Sequence, residues 1–393
     1  MPEAAEPEAD RPRLARLPWR RPPRMRADDG DGEERRVSWF ELFCDLFFVA
    51  SIAELGFTLR SDFTPERLVV YAAFFVPLWW LWVVYTFYFD RFDTDDLPHR
   101  AIVLVGMFGV ALVAMSLPRA LTSGGPAFVA GYLLARAMVV ALYIRAARHV
   151  PAAGRLGRNF GAGSAVAACA WIAGLLLPGP GREVAWAVAV TIELSIPFVA
   201  RVVVGGTPRH VSHLTERYGL FTIIVLGESV YGVVVGLSDA RLDLAAGADA
   251  AACFVIAAGF WWIYFNLARA FAVPRSGFAT LQVFAFGHLA IAIAIAAAGA
   301  SAAETIQGRH PLSQAALSAG VALFLLACWT VRVSLDRRTD RVAVARAAAG
   351  VLAALLVPVG LLLPQVPTVF ATALLLAGAA LFEVWEAARP EPA

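Results

Sequence analysis

"WFELFCDLFFVASIAEL", residues 39–55, decides the fold. It is a long apolar run of the kind that crosses a bilayer as a helix, yet it holds Glu41, Asp45 and Glu54. A carboxylate in hydrocarbon costs at least a few kcal/mol, so intramembrane acids face a cavity or a partner. On a helix Glu41 and Asp45 are i and i+4 and share one face. Glu54 lies about 20 Å from Glu41 along the axis and points away from Asp45, since a separation of nine residues makes about two and a half turns. Glu41 and Glu54 suit the two headgroup layers, where a charge is cheap. Asp45 lies a full turn deeper and needs another explanation.

The rest of the chain matches that stretch. Of 393 residues, 59% are hydrophobic and only 16% charged, with a mean hydropathy of +0.66, which excludes an ordinary soluble domain and indicates a polytopic membrane protein. The formal charge of +2 gives no reason to expect a nucleic-acid partner. All 33 basic residues are arginine, which reads as coding bias rather than mechanism. Cys44, Cys169, Cys253 and Cys328 all fall in apolar runs, with neither a disulfide framework nor zinc spacing. Residues 1–37 are rich in Pro and Arg, then acidic, then basic. Such a segment cannot bury a core and is expected to be a disordered tail. It has no apolar h-region, so it does not read as a secretory signal.

A spanning helix needs about 20 mostly apolar residues. On that scale twelve spans follow: 38–59, 68–89, 101–118, 127–147, 161–178, 183–204, 217–238, 248–272, 278–300, 312–332, 342–363 and 366–387. The expected fold is an all-α bundle of twelve transmembrane helices over residues 38–388. Arginine tests the count, because cytoplasmic loops hold the excess of basic residues. The N-terminal segment has nine, and Arg145, Arg148, Arg155 and Arg158 follow the fourth span. Arg201, Arg209 and Arg217 lie around the sixth connection, and Arg332, Arg337, Arg338 and Arg341 around the tenth. Alternate connections hold one or two each, so both termini are expected in the cytoplasm.

The chain also reads as a six-plus-six parallel internal repeat, with halves 38–204 and 217–388. Span 1 ("ELFCDLFFVASIAEL") and span 7 ("ERYGLFTIIVLGES") both open with Glu and carry a second Glu 13 and 12 residues later. Trp79-Trp80 matches Trp261-Trp262, and Phe108-Gly109 matches Phe286-Gly287. An even number of spans per half keeps the same orientation.

Glu228, in the middle of span 7 ("FTIIVLGESVYGVVVGL"), is the strongest candidate for a proton- or ligand-binding carboxylate, with a structural ion pair as the alternative. Gly227 beside it permits close helix approach or a local break. Glu193 in span 6 and Arg136 in span 4 are of the same kind, but one sequence does not show which acid meets Arg136. Asn266, Gln282 and His288 add polar groups on spans 8 and 9. Ionisable groups at depth on several helices suggest a shared polar cavity at the bundle centre.

"YFDRFDTDDLPHR" crowds Asp90, Asp93, Asp95 and Asp96 against Arg91 and Arg100 at one boundary. The two readings are a solvated loop of ion pairs and a magnesium mouth, since hard cations take clustered carboxylates. "HVSHLTER" puts His210, His213 and Glu216 on one stripe. That is a weak pattern for a metal site, because three ligands on one stripe rarely close a site alone, and a juxtamembrane polar stripe is the plainer reading. The aromatic runs "LWWLWVVYTFYF" and "FWWIYF" fit interfacial belts and packing better than a cofactor pocket. No phosphate loop, nucleophile elbow or dinucleotide fingerprint is present, and no cofactor is expected.

Together "SWFELFCDLFFVASIAEL", "YFDRFDTDD…HR", "HLTERYGLFTIIVLGES" and "WWIYF" resemble the bacterial low temperature requirement protein A (LtrA) family, over roughly residues 35–388. Cys44 departs conservatively from the Phe of the "ELFFDL" form. The resemblance implies a multi-span inner-membrane protein linked by name to growth in the cold, and it implies no particular reaction. The positions carrying its motifs are Glu41, Asp45, Arg91, Asp93, Asp95, Asp96, Glu216, Arg217, Gly227, Glu228 and Ser229.

Twelve spans, a six-plus-six pattern and deep acids suggest a secondary transporter or permease for a small molecule or ion, with Glu228 and Asp45 as binding groups. The alternatives are an intramembrane enzyme that acts on a lipid or isoprenoid through Asp93, Asp95 and Asp96, or a stress-adaptation membrane protein without turnover.

Overall fold

The structure, a computed structural model, describes residues 19–25, 37–204, 211–241, 243–269, 277–308, 312–336, 340–363 and 367–389. Among these, twelve helices are long and apolar enough to cross a bilayer, as expected. They are α1 (Trp39–Ser61), α2 (Pro65–Arg91), α3 (Leu97–Ser116), α4 (Gly125–Ala147), α5 (Pro151–Leu176) and α6 (Pro180–Val204). The second six are α7 (Val211–Asp239), α8 (Leu244–Arg269), α9 (Phe278–Ile306), α10 (Ser313–Asp336), α11 (Arg341–Leu362) and α12 (Thr368–Ala387). Several run past their expected ends. α5 starts ten residues early and takes in Arg155 and Arg158, and α7 starts before its apolar run. Helical hydrogen bonding continues beyond the hydrocarbon, whereas hydropathy registers only the apolar part.

Helix starts follow local chemistry. Ser38 caps α1: its hydroxyl accepts the Glu41 N–H at 3.2 Å and donates to Glu41 Oε1 at 3.0 Å, a variant of the S-x-x-E capping box. Thr64 caps α2 with Pro65 in its first turn, and Asp96 and Asp340 cap α3 and α11.

α2 is the axis of the first half. Every residue from Leu78 to Arg91 is buried, with α1, α4, α6, α7 and α9 around it. An all-round apolar helix needs such a jacket. Its rings interlock: Trp82 stacks on Phe221 at 4.2 Å, and the Tyr85 hydroxyl donates to the Ala135 carbonyl at 2.9 Å. The neighbours of α1–α6 recur six helices later. α1 packs on α3 as α7 does on α9, α3 on α4 as α9 does on α10, and α2 on α6 as α8 does on α12. The paired tryptophans do not share an environment, however. Trp79 and Trp80 are buried, whereas Trp261 and Trp262 are 46% and 41% exposed.

Glycine sets two close approaches. A Cβ at Gly109 would stand 2.6 Å from the Gly131 carbonyl, which locks α3 to α4, and one at Gly232 would stand 2.0 Å from the Gly299 carbonyl, which locks α7 to α9.

One correction falls in the segment expected to be a disordered tail. Residues 19–25 are held against the bundle: β1 (Arg24–Met25) pairs antiparallel with β2 (Phe92–Asp93), and the Arg21 N–H donates to Asp96 Oδ2 at 2.7 Å. Composition argued against a core of its own, but the segment borrows acceptors from the α2–α3 turn. Residues 1–18 and 26–36 lie outside the described residues.

Candidate functional site

One end of the bundle collects the start of α1, the end of α2 and the start of α7. We call this the near end. Asp45 sits there, 1% exposed, and receives both arms of Arg217: NH1 to Oδ2 at 2.9 Å and NH2 to Oδ1 at 2.8 Å. Trp82 Nε1 adds a third donor at 2.9 Å, and the guanidinium reaches Thr86 at 3.4 Å. Arg217 Nε lies 3.8 Å from Glu41. His213, one helical turn before Arg217, fits between two further acids, with Nε2 3.3 Å from Glu41 Oε2 and Nδ1 3.3 Å from Asp90 Oδ1. All five groups are buried.

A neutral imidazole has one N–H and one lone pair, yet both ring nitrogens of His213 face carboxylate oxygens. Only the Nδ1 contact with Asp90 is aligned as a hydrogen bond; Nε2 faces Glu41 without one. Arg217 itself faces two of these acids, bonded to Asp45 and 3.8 Å from Glu41. Arg91, next to Asp90 in the chain, turns instead to the Tyr143 hydroxyl at 3.1 Å. Asp90 Oδ2 and Arg91 Nε are closed off from solvent without a hydrogen-bond partner among the described residues. The cluster is thus a buried set of ionisable groups with incomplete hydrogen bonding.

At the opposite, far end the same two helices meet again. Glu228 of α7 and Arg60 of α1 flank Gly56: a Cβ there would stand 3.2 Å from Glu228 Oε2 and 3.4 Å from Arg60 NH1. Glu228 makes no ion pair within 4 Å among the described residues, and neither Arg60 NH1 nor the Tyr71 hydroxyl has a hydrogen-bond partner. Arg60 lies over the Tyr231 ring at 5.5 Å. Gly56 leaves the space in which these groups face each other. The α1/α7 seam therefore carries an ion pair at its near end and, toward its far end, an acid and an arginine that flank Gly56 without pairing.

The expected shared cavity is corrected. The three deep acids have three different cations: Asp45 has Arg217, Glu228 faces Arg60, and Glu193 has Arg136. Arg136 Nε lies 3.3 Å from Glu193 Oε2, which also accepts the Tyr132 hydroxyl at 2.7 Å, while Arg136 NH2 donates to Ser164 at 2.9 Å. A buried charge is neutralised most cheaply by the nearest counter-charge, so the acids divide rather than gather.

Other candidates resolve individually. Glu216 is exposed, and its neighbour Arg217 turns inward instead. Gly227 is also exposed, with nothing near an added Cβ and α7 unbroken around it, so neither close approach nor a break occurs there. Ser229 donates to the Ile295 carbonyl at 3.1 Å, joining α7 to α9. Glu54 is half-buried. His288 is satisfied by the Phe284 carbonyl and the Tyr264 hydroxyl, and Asn266 and Gln282 are half-buried rather than central.

The acidic loop consists of ion pairs. Asp95 takes Arg100 at 2.7 and 2.9 Å, Asp93 takes Arg21 at 3.1 Å, and Asp96 takes Arg145 at 2.6 Å. Of the weak metal stripe, His213 joins the acids of α1 and α2, Glu216 points away, and His210 lies outside the described residues. No metal-like cluster forms among the described residues. A pair that the sequence reading passed over is Arg346 with Glu383, 2.5 Å apart across α11 and α12. Both are single charges in apolar runs, the signal that marked Arg136 and Glu193.

Fold and site together define a polytopic membrane protein with two polar contacts along one helix seam. The sequence profile of the bacterial low temperature requirement A protein (LtrA) family matches residues 36–381. The chain belongs to this family. It is also similar to an uncharacterized protein of Rhizobium meliloti (strain 1021), 30% identical over 276 residues, which cover 66% of this chain and 67% of the relative.

Proposed function

We propose that this LtrA-family protein is a proton-coupled secondary transporter or permease that works by opening the α1/α7 seam at alternate ends. One observation carries the reading: the first helix of each six-helix half faces the other through ionisable groups at both ends, Asp45 paired with Arg217 and Glu228 opposite Arg60 across Gly56. Transporters built from repeats bind at the repeat interface and rock one half against the other. The recurring helix neighbours support reading the halves as a duplicated parallel unit. His213 supplies a route for the proton: one ring nitrogen accepts it from protonated Glu41 while the other releases its own to Asp90, leaving the alternate tautomer. The two 3.3 Å gaps are close to transfer distance, so small motions suffice.

The arginine distribution supports a plasma-membrane setting with the near end and both termini in the cytoplasm. The enzymatic alternative loses support because its carboxylates, Asp93, Asp95 and Asp96, are each matched by an arginine.

The test is proton movement in proteoliposomes. An imposed pH gradient should dissipate faster with the wild type than with empty liposomes, and Asp45→Asn and Glu228→Gln should each slow it at least tenfold. Equal rates for wild type and both variants would refute the reading.

A further inference from the structure

A second site lies apart from the seam, at the near-end surface. A cleft of about 550 Å³ opens between the start of α3, the end of α4 and the docked N-terminal segment. Four arginines (Arg20, Arg21, Arg145 and Arg148) and His149 line one part, and Pro22, Pro98, Ile102, Ala141 and Ile144 line the other. We propose that this cleft binds the phosphate headgroup of an anionic phospholipid, with the first part of an acyl chain against Ile102 and Ile144.

Three observations carry it. The lining is cationic beside apolar, at the end of spanning helices, which matches a phosphate joined to hydrocarbon at a bilayer surface. The charge is also not used up internally: Arg21 and Arg145 are paired with Asp93 and Asp96, whereas Arg20 and Arg148 are exposed without an acidic partner among the described residues. Arg145 NH1 likewise has no hydrogen-bond partner there. Finally, the cleft is braced. Asp96 Oδ2 holds the Arg21 N–H at 2.7 Å and Arg145 at 2.6 Å, and Arg145 holds the Arg21 carbonyl at 3.1 Å. This cross-bracing carries Arg20 into place from a segment whose composition would otherwise leave it loose. Arginine forks suit phosphate oxygens, and basic residues at a membrane surface favour anionic lipid. The volume is that of a small-ligand site.

The test uses the full chain in a neutral detergent, titrated separately with phosphatidylglycerol, phosphatidylcholine and inorganic phosphate, reading unfolding temperature and bound lipid by native mass spectrometry. Phosphatidylglycerol should stabilise and remain bound, and phosphatidylcholine should do neither. The double variant Arg20→Ala/Arg148→Ala removes exposed, unpaired residues and should fold normally. It should bind phosphatidylglycerol roughly thirtyfold more weakly, each juxtamembrane arginine contributing about a factor of five. Ile144→Asn should weaken phosphatidylglycerol but leave inorganic phosphate unchanged. Equal retention of phosphatidylglycerol by wild type and the double variant would overturn the site. Equal effects of the two lipids, or a response reproduced in full by inorganic phosphate, would overturn its assignment to a lipid.

Discussion

Replacing Arg217 with leucine removes the bidentate partner of Asp45 and leaves the Trp82 N–H as its remaining hydrogen-bond donor. Asp45 is 1% exposed, so water cannot take over. Stripping one member from a buried pair costs about 3–5 kcal/mol. Asp45→Asn keeps the shape, and Arg217 retains Thr86 at 3.4 Å and Glu41 at 3.8 Å, so its cost should be smaller, about 1.5–3 kcal/mol. In the double variant neither charge is stranded, and the combined cost should fall short of the sum by about 2 kcal/mol. Equilibrium unfolding in mixed micelles with rising dodecyl sulfate measures all four corners of this cycle. Costs that add to within about 0.5 kcal/mol would show that the two side chains do not act as a pair, and the reasoning on the near-end cluster would fail.

Gly232→Ala should drive α7 from α9, because its Cβ meets backbone, and is expected to abolish a monodisperse product on size-exclusion chromatography. Gly227→Ala, with open space around it, should be neutral or stabilise by up to about 1 kcal/mol in thermal unfolding. Tyr132→Phe removes the 2.7 Å hydrogen bond to Glu193 and should cost about 1–3 kcal/mol in the same assay. At the α11 cap, partial burial pushes the Asp340 carboxyl up, but the Arg332 hydrogen bonds and the Ala343 N–H outweigh it and hold it below the usual carboxylate range. A carboxyl lowered on folding contributes stability above its unfolded value, near about 4, and that contribution fades as pH falls through the lower folded value. Asp340→Asn should therefore lose up to about 1 kcal/mol at neutral pH, a small figure because the pair is partly exposed. The deficit should vanish in acid, as a pH series of melting curves would reveal.

The spans were legible because run length alone identifies a bilayer-crossing helix, and Asp45, Glu193, Glu228 and Arg136 were legible because a charge deep in such a run is costly. Their partners were not, since each comes from another helix. Asp45 and Arg217 are 172 positions apart, and no local pattern joins them. Within "TER" the motif does not say whether Glu216 or Arg217 faces inward, because adjacent residues point about 100° apart on a helix. Only packing against α1 and α2 selects the arginine. Gly227 and Gly232 illustrate the same limit: both are glycines on α7, and only the path of α9 makes the second indispensable. The docking of residues 19–25 was hidden because composition describes what a segment can bury, not which acceptors a neighbouring turn offers.

Motion of the α1/α7 seam is tested most directly by paired spin labels and double electron–electron resonance in nanodiscs, in a chain with exposed Cys169 replaced by serine. One pair, Trp39→Cys with Glu216→Cys, reports the near end, and a second, Phe57→Cys with Val230→Cys, reports the far end; all four positions are exposed. Each pair should show two distance populations, and a change of pH should lengthen one pair as it shortens the other. A single distance at each end, unchanged by pH, would contradict alternating opening of the seam.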